Sequence, residues 1–180
     1  VASGFSEGTP YWFEIVNIGN AAVNLGGFTV NTAQSVLGPK PTTIAGRQSF
    51  RLPEVSLAPG AFLVISGERH DKVPNTAQLV HISEGRGPIK YPYWTSSGSI
   101  ELVKDGATRS FVRFGSNTDL PTTGPAPSSA PALPHAVNAF GYAIALPGKS
   151  AAEIDPSGPW ISVGWTTPAG PNDVPADAVD

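Results

Sequence analysis

An all-β fold, a sandwich of short strands, is what this sequence predicts, and three observations carry it. Residues 11–30, YWFEIVNIGNAAVNLGGFTV, set short apolar runs on either side of an Asn/Gly turn and a Gly-Gly break. Residues 57–66, LAPGAFLVIS, repeat that grammar. Residues 99–113 hold two runs around Asp105-Gly106, the pair favoured in a type I′ hairpin turn because both positions need positive φ. No stretch carries the 3.6-residue apolar period of an amphipathic helix, and residues 149–154 are expected to make one turn at most.

The elements follow in order. Residues 11–17 put Tyr11, Phe13 and Ile15 on one face and Trp12, Glu14 and Val16 on the other. Both faces are largely apolar, which predicts an interior strand with Glu14 as its odd residue. Short strands are expected over 22–25 and 28–32, and a loop over 33–47, where Gly38-Pro39-Lys40-Pro41 forbids regular structure. Residues 49–52 read as a strand that Pro53 stops. Ala58-Pro59-Gly60 reads as a turn with Pro at its first central position, leading into the most apolar strand, 61–66. Further strands are expected over 78–82, 99–103, 108–113, 137–143 and 160–165. Residues 1–10 form an N-terminal extension, 11–173 the domain, and 174–180 an acidic tail. Within the domain, residues 116–136 are a Pro/Ser/Ala-rich segment, read either as a mobile insertion or as a surface loop laid on the sandwich.

Composition supports one domain with long Pro/Gly-rich loops. The chain of 180 residues has 20 glycines and 19 prolines, roughly twice the ordinary share, yet is 40% hydrophobic, enough for a core. Charged residues make up 14% and the net charge is −3, with lysines and arginines scattered singly. That pattern offers no surface for a run of phosphates, so no nucleic-acid partner is expected. There is no cysteine, which removes thiol chemistry and Cys-based metal sites. No apolar run is long enough to span a bilayer. The start Val1-Ala2-Ser3-Gly4 and the absence of Met are read as a processed chain, with a removed secretory leader preferred to a trimmed fragment.

At four places the residues resemble bacterial lamin-tail domains. EIVNIGNAAVNLGGFTV does so through Glu14, Asn17, Val23, Leu25, Gly27 and Phe28, with Phe28 where Trp is commoner. LAPGAFLVIS does so through Leu57, Pro59, Gly60, Leu63, Val64 and Ile65. SIELVKDGATRSFVRFG follows through Leu102, Asp105, Gly106, Val112 and Gly115, and the closing TTPAGPN through Thr167, Pro168, Gly170 and Asn172. The pieces occur in family order. The Arg that the family often carries after a Ser in the last third is absent, Ser150-Ala-Ala-Glu153 offering Glu instead. The resemblance implies an immunoglobulin-like β-sandwich, a binding or architectural role, and no catalytic mechanism.

The candidate sites are few. His70, His81 and His135 sit in or beside loops, and the His81…Glu84 spacing could share a face only on a helix, so all three are read as surface residues. No nucleophile elbow, phosphate-binding loop or selected carboxylate pair occurs. Glu14 is read as an acid satisfied by nearby donors, with calcium ligation as its alternative; Asp119, Asp155 and Asp173 are loop acids too dispersed for a calcium loop. Tyr91, Tyr93 and Trp94 put three rings within four residues and are the expected partner- or ligand-binding group. Trp160 and Trp165 read as core. No cofactor is expected. The resulting expectation is a non-catalytic, extracytoplasmic protein-binding module, an accessory subunit of a surface or envelope assembly. The alternatives are a carbohydrate-binding module using the aromatic loop and, behind it, a hydrolytic enzyme.

Overall fold

The computed structural model describes residues 12–35, 44–66, 79–81, 96–133, 143–163 and 170–172. These form eleven strands and no α-helix: β1 (Trp12–Val16), β2 (Val23–Asn24), β3 (Phe28–Ser35), β4 (Ile44–Arg51), β5 (Ser56–Leu57), β6 (Phe62–Ser66), β7 (Leu79–His81), β8 (Gly98–Lys104), β9 (Ala107–Phe114), β10 (Ala143–Ala145) and β11 (Ile161–Val163). The protein is all-β, and among the described residues no sheet closes on itself. One sheet has the order β1-β6-β7 and a second the order β4-β3-β8-β9, while β2-β5 and β10-β11 form two-stranded ribbons. Among the described residues the pairings of these strands are antiparallel except β6 with β7, and Phe114 makes an isolated parallel bridge to Ala130.

Alternation along the strands builds the core. Phe13, Leu63 and Ile65 of the first sheet enter the same apolar cluster as Val30, Ile100 and Phe114 of the second. Trp12 and Val64 face the other way, into a smaller cluster with Ala143, Ala145 and Val163. Hence both faces of β1 are apolar. Burying a side chain such as Phe114 or Ile65 contributes about 1.5–3 kcal/mol relative to leaving it exposed.

The Asp105-Gly106 hairpin forms as its chemistry dictates. Lys104 pairs with Ala107, and Asp105 (φ 53°) and Gly106 (φ 73°) both lie in the left-handed region. The register shifts between Leu102 and Val103, leaving Arg109 as the extra residue of a bulge on β9. The turn at Ala58-Pro59-Gly60 closes through Ala61 N–H to Ala58 C=O at 3.1 Å.

Several expectations are corrected. Residues 33–35 and 44–47, expected as loop, belong to β3 and β4. Ala33 pairs with Ser99 on one side and Arg47 on the other, and these two ladders override a polar composition. Among the described residues β6, not β1, has neighbours on both sides in its sheet. The ribbon strand β5 was not anticipated, and β10 begins where the strand expected over 137–143 ends; residues 137–142 lie outside the described ones. The single helical turn among the described residues, of 3-10 type, spans Ala151–Glu153, inside the stretch where one turn at most is expected.

Candidate functional site

The face of β4-β3-β8-β9 that points away from the core carries a polar network read across the strands in two rows. In the first row Ser49, Asn31, Glu101 and Phe111 stand opposite one another on successive strands. Ser49 Oγ donates to Asn31 Oδ1 at 2.9 Å, and Asn31 Nδ2 donates to Glu101 Oε2 at 3.1 Å. The second row is Arg47, Ala33, Ser99 and Arg113. Ala33 is the small member, and Asp119, coming from outside the sheet, bonds its two neighbours in the row, Arg47 and Ser99.

Asp119 belongs to the segment that follows β9. Asn117 sets its conformation by accepting the Asp119 N–H on Oδ1 at 2.8 Å, an Asx turn. The Asp119 carboxylate then accepts from Arg47 Nη2 at 2.7 Å and from Ser99 Oγ at 2.9 Å, while Arg113 Nη1 donates to its carbonyl at 3.2 Å. Arg47 is largely exposed (65%), and Asp119 is not (3%).

Three residues on, Thr122 donates its backbone N–H to Glu101 Oε1 at 2.6 Å and its hydroxyl to Glu101 Oε2 at 2.9 Å. Thr108 Oγ1 adds a second donor to Oε1 at 2.6 Å. Thr108 and Thr123 are joined reciprocally, each backbone N–H donating to the other's hydroxyl at 2.9 Å. Burial pushes the Glu101 carboxyl up, but the donors from Thr108, Thr122 and Asn31 outweigh it and hold the group below its ordinary value. The segment ends on the edge of β9, where Ala130 N–H donates to Arg113 C=O at 2.8 Å and Gly115 N–H to Ala130 C=O at 3.1 Å.

Between these rows lies an open hollow of about 270 Å³, bordered by Arg47, Ser49, Phe111 and Leu120, whose side chain is 72% exposed. A second, apolar hollow of about 90 Å³ lies against Trp12, Ile144 and Trp160, with Glu14 and Asn172 at its wall. A third, about 690 Å³, runs between residues 127–131 and 156–160.

The expected site residues fare unevenly. Tyr91, Tyr93 and Trp94 lie outside the described residues, as do His70, His135, Glu84, Asp173 and Trp165. His81 ends β7 opposite Ser66. Glu14 is half-buried in mid-β1 and has a noncovalent partner. Asp155 accepts Ser157 Oγ and N–H at 2.7 and 2.8 Å, and these bonds lower its pKa. Among the described residues no group of three His, Cys, Asp or Glu could hold a metal ion. No described helix is long and apolar enough to cross a membrane. Glu101, Arg47, Asn31 and Thr122 were not singled out from sequence. The run Ser116-Asn-Thr-Asp119 was the available signal, since Asn two residues before Asp is turn-forming chemistry. No family model matches this chain, and no curated protein or solved structure does either.

Proposed function

We propose that this chain is a non-catalytic protein-binding module, an immunoglobulin-like sandwich of the lamin-tail kind. It works outside the cytoplasm as an accessory subunit of a surface or envelope assembly. One observation carries the reading: the two buried acids of the network, Glu101 and Asp119, are engaged in holding the segment after β9 against the sheet. A carboxylate saturated by Thr, Asn, Ser and Arg donors has its lone pairs occupied, and it is a poor general base. Such bonding ties the segment to the sheet and leaves Arg47 as the exposed charge of a shaped outer surface, the kind that meets a partner. The residues carrying the family resemblance have frame-building roles that agree with it. Asn17 spans the turn after β1, and Asp105-Gly106 turns the hairpin.

The test is mild cross-linking in the native source followed by purification of the chain. A stoichiometric protein partner is expected. A chain that purifies alone as a monomer and hydrolyses a glycoside or ester panel, with activity lost in Glu101→Gln, would overturn the reading. Glycan-array binding lost in Trp94→Ala would establish the carbohydrate alternative in its place.

A further inference from the structure

The groove of about 690 Å³ between residues 127–131 and 156–160 has the size of a ligand site and a consistent chemistry. Its rings are Phe111 and Trp160, and its walls carry Pro127, Pro131, Pro156 and Pro159. Every other lining residue among the described ones is Val, Ala, Gly or Ser, so no titratable side chain of the described residues lines it. Both walls are built beforehand. Ser129 Oγ donates to Gly115 C=O at 2.9 Å and Ala130 N–H to Arg113 C=O at 2.8 Å, which fixes one wall to the end of β9. The Ser157 bonds to Asp155 and Gly158 N–H to Asp155 C=O at 3.0 Å fix the other. Two side-chain donors of the described lining are left without a hydrogen bond. Neither the Trp160 indole N–H nor the Ser128 hydroxyl makes a hydrogen bond among the described residues.

From this we infer that the groove binds an uncharged, proline-rich segment of a partner protein in the polyproline II conformation. The inference rests on the protein-binding reading and names the partner's chemistry. A polyproline II strand has no internal hydrogen bonds, so its carbonyls are free for the indole and hydroxyl donors. Its prolines pack on aromatic and proline faces, and being preformed it loses little entropy on docking. A neutral groove matches a neutral segment and leaves a charged one without a counter-group. A sugar chain is the weaker fit. Its many hydroxyls call for planar polar side chains, and the described lining contains no Asp, Glu, Asn, Gln or Arg.

The experiment follows the indole N–H resonances of the whole chain, of which four tryptophans give four. The peak missing in Trp160→Phe identifies Trp160. Titration with a proline decamer is expected to shift that peak saturably, while a Gly/Ser decamer and cellohexaose leave it in place. Trp160→Phe keeps a ring and removes one donor, so affinity for the decamer is expected to fall about tenfold, one hydrogen bond's worth. Ser128→Trp fills the groove from an exposed position and is expected to abolish binding without disturbing the core. A folded chain whose peak ignores the decamer overturns the inference, as does a shift produced by cellohexaose alone or unchanged binding by both variants. A native partner still held stoichiometrically by Ser128→Trp also overturns it, but leaves the protein-binding reading standing. Absence of both decamer binding and any native partner sinks the two together.

Discussion

Thr122 donates its backbone N–H and its hydroxyl to the two oxygens of Glu101, 21 residues earlier. Its neighbour Thr123 exchanges backbone-to-hydroxyl bonds with Thr108, which itself donates to Glu101. One carboxylate therefore ties a proline-rich segment, the β8–β9 hairpin and, through Asn31, the adjacent strand β3. Over residues 117–129 the segment buries no large apolar side chain, so its attachment there is polar and depends on where donors and acceptors meet, while Leu133 further on is fully buried in the core.

Removing that acceptor should be costly. Glu101→Ala leaves Thr108, Thr122 and Asn31 without their partner and is expected to destabilise the fold by about 2–4 kcal/mol in urea denaturation. Glu101→Gln keeps one acceptor oxygen and should lose about half of that. Equal losses for the two variants would mean that charge, not acceptor geometry, holds the segment.

The same group sets a pH dependence. Its pKa lies below the ordinary value of 4.5, so the native state favours the ionised form. The stabilisation is then fully present above the unfolded-state value and is lost as pH falls through the lower folded-state value. Urea midpoints stepped down through the acid range should fall more steeply for the wild type than for Glu101→Gln, and the gap between them should narrow. A gap constant with pH would contradict the assignment.

Arg47 and Asp119 should respond unequally. Arg47 is mostly in solvent, and Arg47→Ala is expected to cost about 0.5–1 kcal/mol, less in high salt. Asp119→Ala strands the Ser99 hydroxyl beside Ala33 and removes the anchor of the segment, for about 2–3 kcal/mol with little salt dependence. A double-mutant cycle in urea and in added salt separates the two terms.

Much of the frame could be read directly from the residues, and the reasons are local. Asp105-Gly106 needs positive φ at both positions, and alternation in β1 sends Phe13 and Trp12 into separate clusters. What escaped the reading is non-local. Residues 33–35 and 44–47 read as loop because Gly38-Pro39-Lys40-Pro41 between them forbids regular structure. They are strand because β3 is hydrogen-bonded on both sides. The polar network escaped for a related reason. Glu101 is opposite Asn31 only once the β3–β8 register exists, and Asp119 reaches Arg47 across 72 residues. Asp119 reads as a loop acid, and its bonds to Arg47 and Ser99 exist only once β4, β3 and β8 lie side by side, which no short motif encodes.

Two glycines with similar backbone angles should separate on substitution. Gly106 (φ 73°) has open space where a Cβ would go, so Gly106→Ala carries only the left-handed penalty, about 1 kcal/mol. Gly115 (φ 62°) would in addition drive a Cβ into Ser97 Oγ and to 2.7 Å from the Ser96 carbonyl, backbone that cannot swing aside. Gly115→Ala is expected to cost about 2–4 kcal/mol. It should also loosen the Ala130 bridge, read as faster exchange of the Gly115 and Ala130 amides. Matching losses at the two positions would show that the end of β9 can yield.

Asn17 gives the sharpest contrast between isosteres. It is buried, with Nδ2 donating to Ala21 C=O at 2.8 Å and to Leu57 C=O at 2.9 Å, while Oδ1 accepts Gly19 N–H at 3.0 Å. Its backbone closes the same junction, giving N–H to Ala61 C=O and accepting Gly60 N–H. One amide thus fastens the turn after β1 to the strand pair that leads into β6. Asn17→Ala loses three bonds in a dry site and is expected to cost about 2–3 kcal/mol. Asn17→Asp preserves shape and the Gly19 bond but sets a carboxylate oxygen against two carbonyls, so it should be at least as destabilising at neutral pH. Protonation lets the introduced carboxyl donate to one carbonyl again, so lowering the pH should narrow the gap between the aspartate variant and the wild type. An aspartate variant as stable as the wild type at neutral pH would mean that Ala21 and Leu57 do not depend on this donor.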